Sequence, residues 1–346
     1  MDPSSTIEAA PLISLLFNYQ LSPLIAFLAG SILSWGLLLL LIPILRRNLI
    51  DNPNSRSSHT SPTPRGGGLS FVIVGSLLAP LAGNTQLSRS LIISIPLALI
   101  GFLDDSFGIS ALFRFTAQLL TGIGLIEIAS VPGRLWEHLL ILTVIISIIN
   151  FINFMDGIDG LAGSCCMVIL AAAAFFPLLT LSTQTHQLLN YLWPLIGGIF
   201  GFLLWNWSPA RVFMGDVGST FLGAVVAGSV IQQPTLHSAV SLCLVGFPLY
   251  ADAVSCIMSR IFHGQPIFQA HKLHLYQRLH QSGWSHSQVT ILYVSATVLL
   301  ALMYLFSNIW LLIIVSVLEL LVGLLLNRYA ARPFTSNNIS VTNLKS

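Results

Sequence analysis

The stretch Asn150-Phe151-Ile152-Asn153-Phe154-Met155-Asp156-Gly157-Ile158-Asp159-Gly160 decides how this chain is read. It sets two amides and two carboxylates at three-residue intervals in one of the most apolar regions of the sequence. Leu139 to Ile149 upstream and Leu161 to Leu181 downstream hold no charge. A carboxylate at the centre of a bilayer costs at least about 2.5 kcal/mol, so a pair of them is a functional-site hypothesis by default. Residues three apart share a helical face, which puts Asn153 beside Asn150 on one side and Asp156 on the other. That face drifts, and Asn150 and Asp159 would end on opposite sides of a straight helix. Gly157 and Gly160 predict that the helix ends there instead. The stretch reads as a helix leaving the membrane and presenting carboxylates and amides at the water surface.

Composition carries the same message. Of 346 residues, 55% are hydrophobic and 8% charged, where soluble domains carry about 25% charged residues. A mean hydropathy of +0.84 excludes a soluble globular protein. The expected fold is all-α, a polytopic membrane protein. The net charge of +2 gives no reason to expect a nucleic-acid partner. Cys165, Cys166, Cys243 and Cys256 form no CxxC pair and lie in or beside apolar runs. They read as buried or lipid-facing small residues, with no disulfide framework and no zinc site implied. The N-terminus is acidic and has no Lys or Arg before Arg46, so Leu21 to Leu45 reads as a retained helix, not a signal peptide.

A span needs roughly 20 apolar residues. Eleven candidates are expected, at 22–45, 67–83, 88–103, 112–130, 137–154, 160–181, 188–206, 217–232, 237–258, 289–306 and 309–327. Residues 1–332 form a single transmembrane catalytic domain in this reading, and 333–346 a polar, disordered tail. Counted by side, the gaps after odd-numbered spans and their flanks hold twelve Lys and Arg, against Arg89 and Arg134 on the other side. The positive-inside bias then puts the odd gaps and the C-terminus in the cytoplasm and the N-terminus outside.

The same gaps hold nearly every chemically interesting residue, which predicts one active site on the cytoplasmic face. Asp104-Asp105 closes the third span; adjacent carboxylates face different ways, so one can bind while its neighbour acts as a base. The competing reading is a solvated helix end. Asp156 and Asp159 suit metal ligands or acceptors for a sugar or base N–H, and carboxylates at a helix C-terminus oppose its dipole. Phe213-Met214-Gly215-Asp216-Val217-Gly218-Ser219 sets one Asp between glycines before a span, as a phosphate cradle with Mg²⁺ or as a plain N-cap turn. Arg56, His59, Arg65 and Gly66-Gly67-Gly68 form a basic loop suited to anionic headgroups or nucleotides, or merely a positive-inside loop. Spacings of three and seven put His271, His274 and Arg278 on one helical face beside Lys272, with Leu275 and Leu279 turned to the membrane surface. Two His could bind zinc, but no third ligand is near in sequence; a diphosphate partner suits the basic company better. The inventory fits Mg²⁺-dependent phosphate transfer on a lipid.

These motifs, in this order from about Asp51 to His286, resemble the polyprenyl-phosphate N-acetylhexosamine-1-phosphate transferases. Eleven spans and an external N-terminus resemble the branch that initiates O-antigen and related glycans. The resemblance implies transfer of a sugar 1-phosphate from a UDP-N-acetylhexosamine to undecaprenyl phosphate in the bacterial inner membrane, with release of UMP. It implies Mg²⁺ (or Mn²⁺) on Asp216 and Asp156, and Asp104 or Asp105 orienting or deprotonating the lipid phosphate. Asn153, Asp156 and Asp159 would contact nucleotide and metal, Phe213 would stack on uracil, and His271 and His274 would bind diphosphate. The phospho-MurNAc-pentapeptide branch has three consecutive His, here spread as His271, His274 and His280, which favours UDP-GlcNAc. UDP-N-acetylfucosamine and UDP-N-acetylquinovosamine stay open, as does a homodimer. The rival from another class is an ion-coupled transporter. Its one midplane acid would be Glu319, expected to pair internally.

Overall fold

The computed structural model describes residues 21–53, 61–83, 85–179, 189–266 and 271–334. Arg56 and His59, the first twenty residues and the tail beyond Phe334 lie outside them.

Among the described residues the fold is all-α, with thirteen helices, one 3₁₀ turn (Asn190–Leu192) and a minimal ribbon. The first five helices are α1 (Pro23–Asn48), α2 (Leu69–Ala82), α3 (Thr85–Phe107), α4 (Ala111–Ile128) and α5 (Leu135–Phe154). Then come α6 (Leu161–Leu179), α7 (Trp193–Asn206), α8 (Asp216–Ile231), α9 (Leu236–Val245) and α10 (Phe247–Phe262). The last three are α11 (Leu275–Gln281), α12 (His286–Phe306) and α13 (Ile309–Tyr329). In the ribbon, β1 (Ile50–Asp51) runs antiparallel to β2 (Thr63–Pro64), with Asp51 opposite Thr63. Helix ends follow local chemistry. Ser22 and Asn308 cap α1 and α13 by accepting the Ile25 and Leu311 amides. Arg46 and Arg47 close α1 where cations complement the dipole.

A helix or helix pair stands at each of the eleven expected spans. Among the described residues six helices are long and apolar enough to cross a membrane: α1, α3 from Ser88, α4, α5, α12 and α13. A seventh crossing follows if α9 and α10, bent by 73° at Gly246, form one broken span. Length and composition therefore do not establish eleven crossings. At 1.5 Å per residue, the 14 residues of α2 or α7 rise only about 21 Å, short of a hydrocarbon core of roughly 30 Å. Apolar composition alone counts interior helices as well as lipid-facing ones. In α8 every residue from Val217 to Val230 is buried, as in a helix that is hydrophobic all round because it is a core. In α13 only 11% of the apolar window is buried, and Leu318, Leu321 and Leu325 face outward. Helices α3, α5, α6 and α2 surround α8, while α1 lies along α7 and α12 along α6.

Glu319 departs from expectation. Neither of its buried carboxylate oxygens has a hydrogen-bond partner among the described residues. It lines an apolar cavity of about 460 Å³ between α10, α12 and α13.

Candidate active site

The N-terminus of α8 is where the chemistry gathers. The last turns of α3 bring Asp104 and Asp105, the end of α5 brings Asn153 and then Asp156, and Asp216 begins α8. Asn153 Nδ2 donates to Asp216 Oδ1 (3.0 Å) and to Ser219 Oγ (2.9 Å), so an amide of the opening stretch fixes the carboxylate of the glycine motif. From α4, Arg114 donates to Asp104 Oδ2 at 2.5 Å and stands 3.8 Å from Asp216 Oδ2. Asp104 also accepts the Ile109 amide at 2.6 Å. Asp105 Oδ2 lies 3.5 Å from the Val217 amide, in the first turn of α8.

Two glycine motifs form one backbone unit. Gly67 and Gly68 donate to the carbonyls of Phe213 (2.9 Å) and Met214 (3.0 Å), and the Phe213 amide donates to Pro64 O (2.8 Å). Gly215, just before α8, holds φ at +76°, and a Cβ there would run into the Asp105 carboxylate. Only glycine gives both that backbone and that approach. Arg65 donates to Asp51 Oδ2 at 2.6 Å, and its charge reaches Asp105 and Asp216. Burial, then the charges of Asp216 and Asp105, push the Asp156 carboxyl well above the usual carboxylate range.

Other expected site residues are used differently. The helix ends at Phe154, before Gly157, with Met155 as C-cap. Asn150 does not share Asn153's surroundings; it pairs with Gln118 through two side-chain hydrogen bonds of 2.9 and 3.2 Å. Asp159 is buried, 3.1 Å from His286 Nδ1, and accepts the Ala210 amide at 3.1 Å. Burial alone would raise its pKa, but the hydrogen bond and charge of His286 outweigh it and hold the carboxyl below the usual range.

His271, His274 and Arg278 do not share a helical face, because α11 begins only at Leu275. His274 is its N-cap and Gln277 completes a capping box. His274 is buried, with Nδ1 3.4 Å from Asp252 Oδ1. Burial opposes its charge, but Asp252 raises its pKa to about 9. Burial, and then His274, lowers His271 to about 3, so that ring is neutral. Arg278 is spent on Leu273 O (3.0 Å), Arg332 O (3.0 Å) and Asn327, tying α11 to the end of α13. Leu279 is fully buried instead of facing the membrane surface. Lys272 is half-buried on the same loop, and Phe213 is half-buried beside Asp216.

Two residues escaped the sequence reading. Arg114 registered only as a charge on one side. Asp252 accepts the Leu275 amide (2.8 Å), the Tyr276 amide (3.1 Å) and the Tyr293 hydroxyl (2.6 Å). It is an acid in an apolar run, the very signal that singled out Asp156.

Residues 88–233 match the family described as Glycosyl transferase family 4. That segment holds Asp104, Asp105, Arg114, Asn153, Asp156, Phe213 and Asp216, the whole carboxylate cluster. That segment belongs to glycosyl transferase family 4. A relative from Bacillus subtilis, named as a probable undecaprenyl-phosphate N-acetylglucosaminyl 1-phosphate transferase, is 29% identical over 90% of this chain and 96% of its own length. A phospho-N-acetylmuramoyl-pentapeptide-transferase from Symbiobacterium thermophilum is 29% identical over 76% of this chain and 88% of its own. Another of that name, from Carboxydothermus hydrogenoformans, is 35% identical over 40% of this chain and 42% of its own. Membership in the family covers the carboxylate-bearing core; Arg65 and the histidine loop lie outside the matched segment.

Proposed function

We propose that this chain transfers an N-acetylhexosamine 1-phosphate, with UDP-GlcNAc the favoured donor, to undecaprenyl phosphate at the cytoplasmic face of a bacterial inner membrane. UMP leaves, and the lipid-diphosphate sugar begins a lipid-linked glycan. One observation carries the reading: Asp104, Asp105, Asn153 and Asp216 gather at the N-terminus of α8 with Arg114 beside them, and Asp156 and Arg65 lie within electrostatic reach. An oxygen-donor set with surplus negative charge suits a hard divalent cation that shares its ligands with substrate phosphates, as Mg²⁺ does.

Asp216 and Asp156 would hold Mg²⁺, with Mn²⁺ as a substitute. Bound there, the cation would neutralise charge on the donor diphosphate. Asn153 fixes the Asp216 carboxylate in place. Asp104 is already committed to Arg114 and the Ile109 amide, which leaves Asp105 to orient the acceptor phosphate or take its proton. An acceptor oxygen forms a bond to the β-phosphorus of the donor, and the bond to the bridging oxygen breaks, leaving that oxygen on UMP. Phe213 stacks on uracil. Arg65 meets phosphate, with Arg56 and His59 from the same loop. His271 and Lys272 approach the diphosphate as hydrogen-bond donors. The burial of His274 and Arg278 suits positioning of α11 better than substrate contact.

The test is purified protein with undecaprenyl phosphate, Mg²⁺ and a panel of UDP-sugars that includes the N-acetylfucosamine and N-acetylquinovosamine donors. UMP release and a lipid-linked product are expected, lost on chelation and restored by Mg²⁺. No UMP from any UDP-N-acetylhexosamine would reject the reading; the preferred donor sharpens it.

A further inference from the structure

The sequence offers no third ligand near His271 and His274, but the fold supplies one. Cys256, on the last turns of α10, comes back onto the loop before α11. One ligand atom each from Cys256, His271 and His274 lie within 4.8 Å of one another. Among the described residues this is the one group of three metal-ligating side chains so close together. Cys256 and His274 are each 4% exposed and His271 is half-buried, so the cluster is closed on two sides and open on the third.

The surroundings resemble those of a metal centre. Asp252 stands behind His274, 3.4 Å from Nδ1, and is itself fixed by two backbone amides and the Tyr293 hydroxyl. A carboxylate behind an imidazole sets the ring's tautomer and leaves Nε2 as the ligand. His271 Nδ1 accepts a 3.3 Å hydrogen bond from the Leu273 amide, long enough to be exchanged for a metal bond. Tetrahedral zinc bonds of about 2.0–2.3 Å put neighbouring ligand atoms about 3.4–3.6 Å apart. The cluster therefore has to close by no more than about 1.4 Å.

We propose that Cys256, His271 and His274 bind a borderline transition-metal ion of the Zn²⁺ class, with water in the fourth position. The ion replaces the thiol proton of Cys256 and the Nε2 proton of His274, both of which leave to solvent, and no electron is transferred. A sulfur and nitrogen donor set selects such an ion over Mg²⁺, which prefers oxygen. The two ions would therefore not compete. The new charge is offset in part by the thiolate and Asp252, while Arg260 and Arg278 are also close enough to be felt at Cys256. The ion would clamp the α11 loop onto α10. The binding stands whether or not the chain transfers a sugar phosphate.

Tag-free protein, kept reduced and in excess Mg²⁺, is titrated with Co²⁺ and followed for the thiolate-to-cobalt charge-transfer band. One Co²⁺ per chain with that band is expected, and Zn²⁺ should abolish the band by displacement. Cys256→Ser should lose the band while retaining UMP release, and His271→Ala should weaken binding at least about tenfold. Co²⁺ on the carboxylate cluster would give no such band. Where Cys256→Ser fails to fold, Zn²⁺ protection of Cys256 from alkylation in the wild-type chain, read by peptide mass, replaces it. Absence of the band from wild-type protein, its persistence in Cys256→Ser, or alkylation of Cys256 indifferent to Zn²⁺ would overturn the proposal.

Discussion

Asp156 and Asp159 stand three residues apart in one loop and meet opposite environments. Asp159 has an imidazole at 3.1 Å and a backbone amide at 3.1 Å, and its carboxyl is held below the ordinary range. Asp156 is half-buried, and desolvation together with the negative charges of Asp216 and Asp105 pushes its carboxyl above that range. A carboxylate whose hydrogen bonds are already made stabilises the fold and has little left for a ligand. One crowded by like charge lowers stability unless a cation or proton arrives, the usual mark of a site kept for function. The same stretch of sequence thus holds an acid whose hydrogen bonds are made and one left among like charges, and spacing does not tell them apart.

Exchanging the two gives the largest effect. Asp156→Asn should cut UMP release by about 10²–10³-fold, the loss from removing one stabiliser of transition-state charge. It should also stabilise the metal-free protein by about 0.5–2 kcal/mol, as relief of a strained functional site does. Asp159→Asn should do the reverse, costing about 1–3 kcal/mol through a spoiled buried hydrogen bond while the folded fraction keeps most of its rate. Thermal unfolding in detergent and the rate per folded molecule separate the two. Their pH dependences also run oppositely. The folded-state pKa of Asp159 is depressed, so its contribution is present above the unfolded value of about 3.9 and is lost as pH falls through the folded value. That of Asp156 is raised, so the metal-free protein loses stability as pH climbs from about 3.9 through the raised value. Two substitutions with the same sign on stability would break the comparison.

How far the sequence told these residues apart depends on what each one signals locally. Asp104, Asp105, Asn153, Asp156 and Asp216 are legible because polar groups stand out against an apolar background, and the structure does bring them together. Asp159 is equally conspicuous, but its partner His286 lies 127 residues further along the chain, and nothing local announces the pairing. Helix positions are legible from hydropathy; membrane crossings are not, because α8 is apolar for the sake of the core. The shared face assigned to His271, His274 and Arg278 failed because it assumed a helix from 271 onward. Gln277, three residues after His274, was the available sign that the helix starts later; His is not a preferred N-cap, so the sign is easy to miss.

Arg114 sharpens the comparison from the cationic side. It is the positive charge held between Asp104 and Asp216, and its side chain is 42% exposed. Exposed pairs contribute only about 0–1 kcal/mol to stability, so a structural reading predicts little change on substitution. If Arg114 orders the carboxylates for chemistry, Arg114→Ala should lower UMP release about tenfold, equivalent to about 1.4 kcal/mol, with unfolding almost unmoved. Arg114→Lys should fall between, since it keeps the charge and loses the planar fork. A rate equal to wild type in Arg114→Ala would leave Asp104 as a structural acceptor for the Ile109 amide.

The smallest expected effect comes from the link between the loop and α11. Tyr276 is buried, and its hydroxyl donates to Phe154 O at 3.0 Å. That carbonyl belongs to the last turn of α5, where helical partners run out. The ring also closes over Gly157, whose Cβ, were there one, would meet the hydroxyl. Tyr276→Phe keeps the ring and removes one hydrogen bond, for about 0.5–1.5 kcal/mol. If the contact only fastens α11, the melting temperature falls and the rate per folded molecule is unchanged. If it sets the loop that carries Asp156, the maximal rate falls severalfold while the Michaelis constant for the UDP-sugar holds. The second outcome is expected, because the hydroxyl meets the chain two residues before Asp156. Tyr276 would then steer Asp156, while His286 holds Asp159.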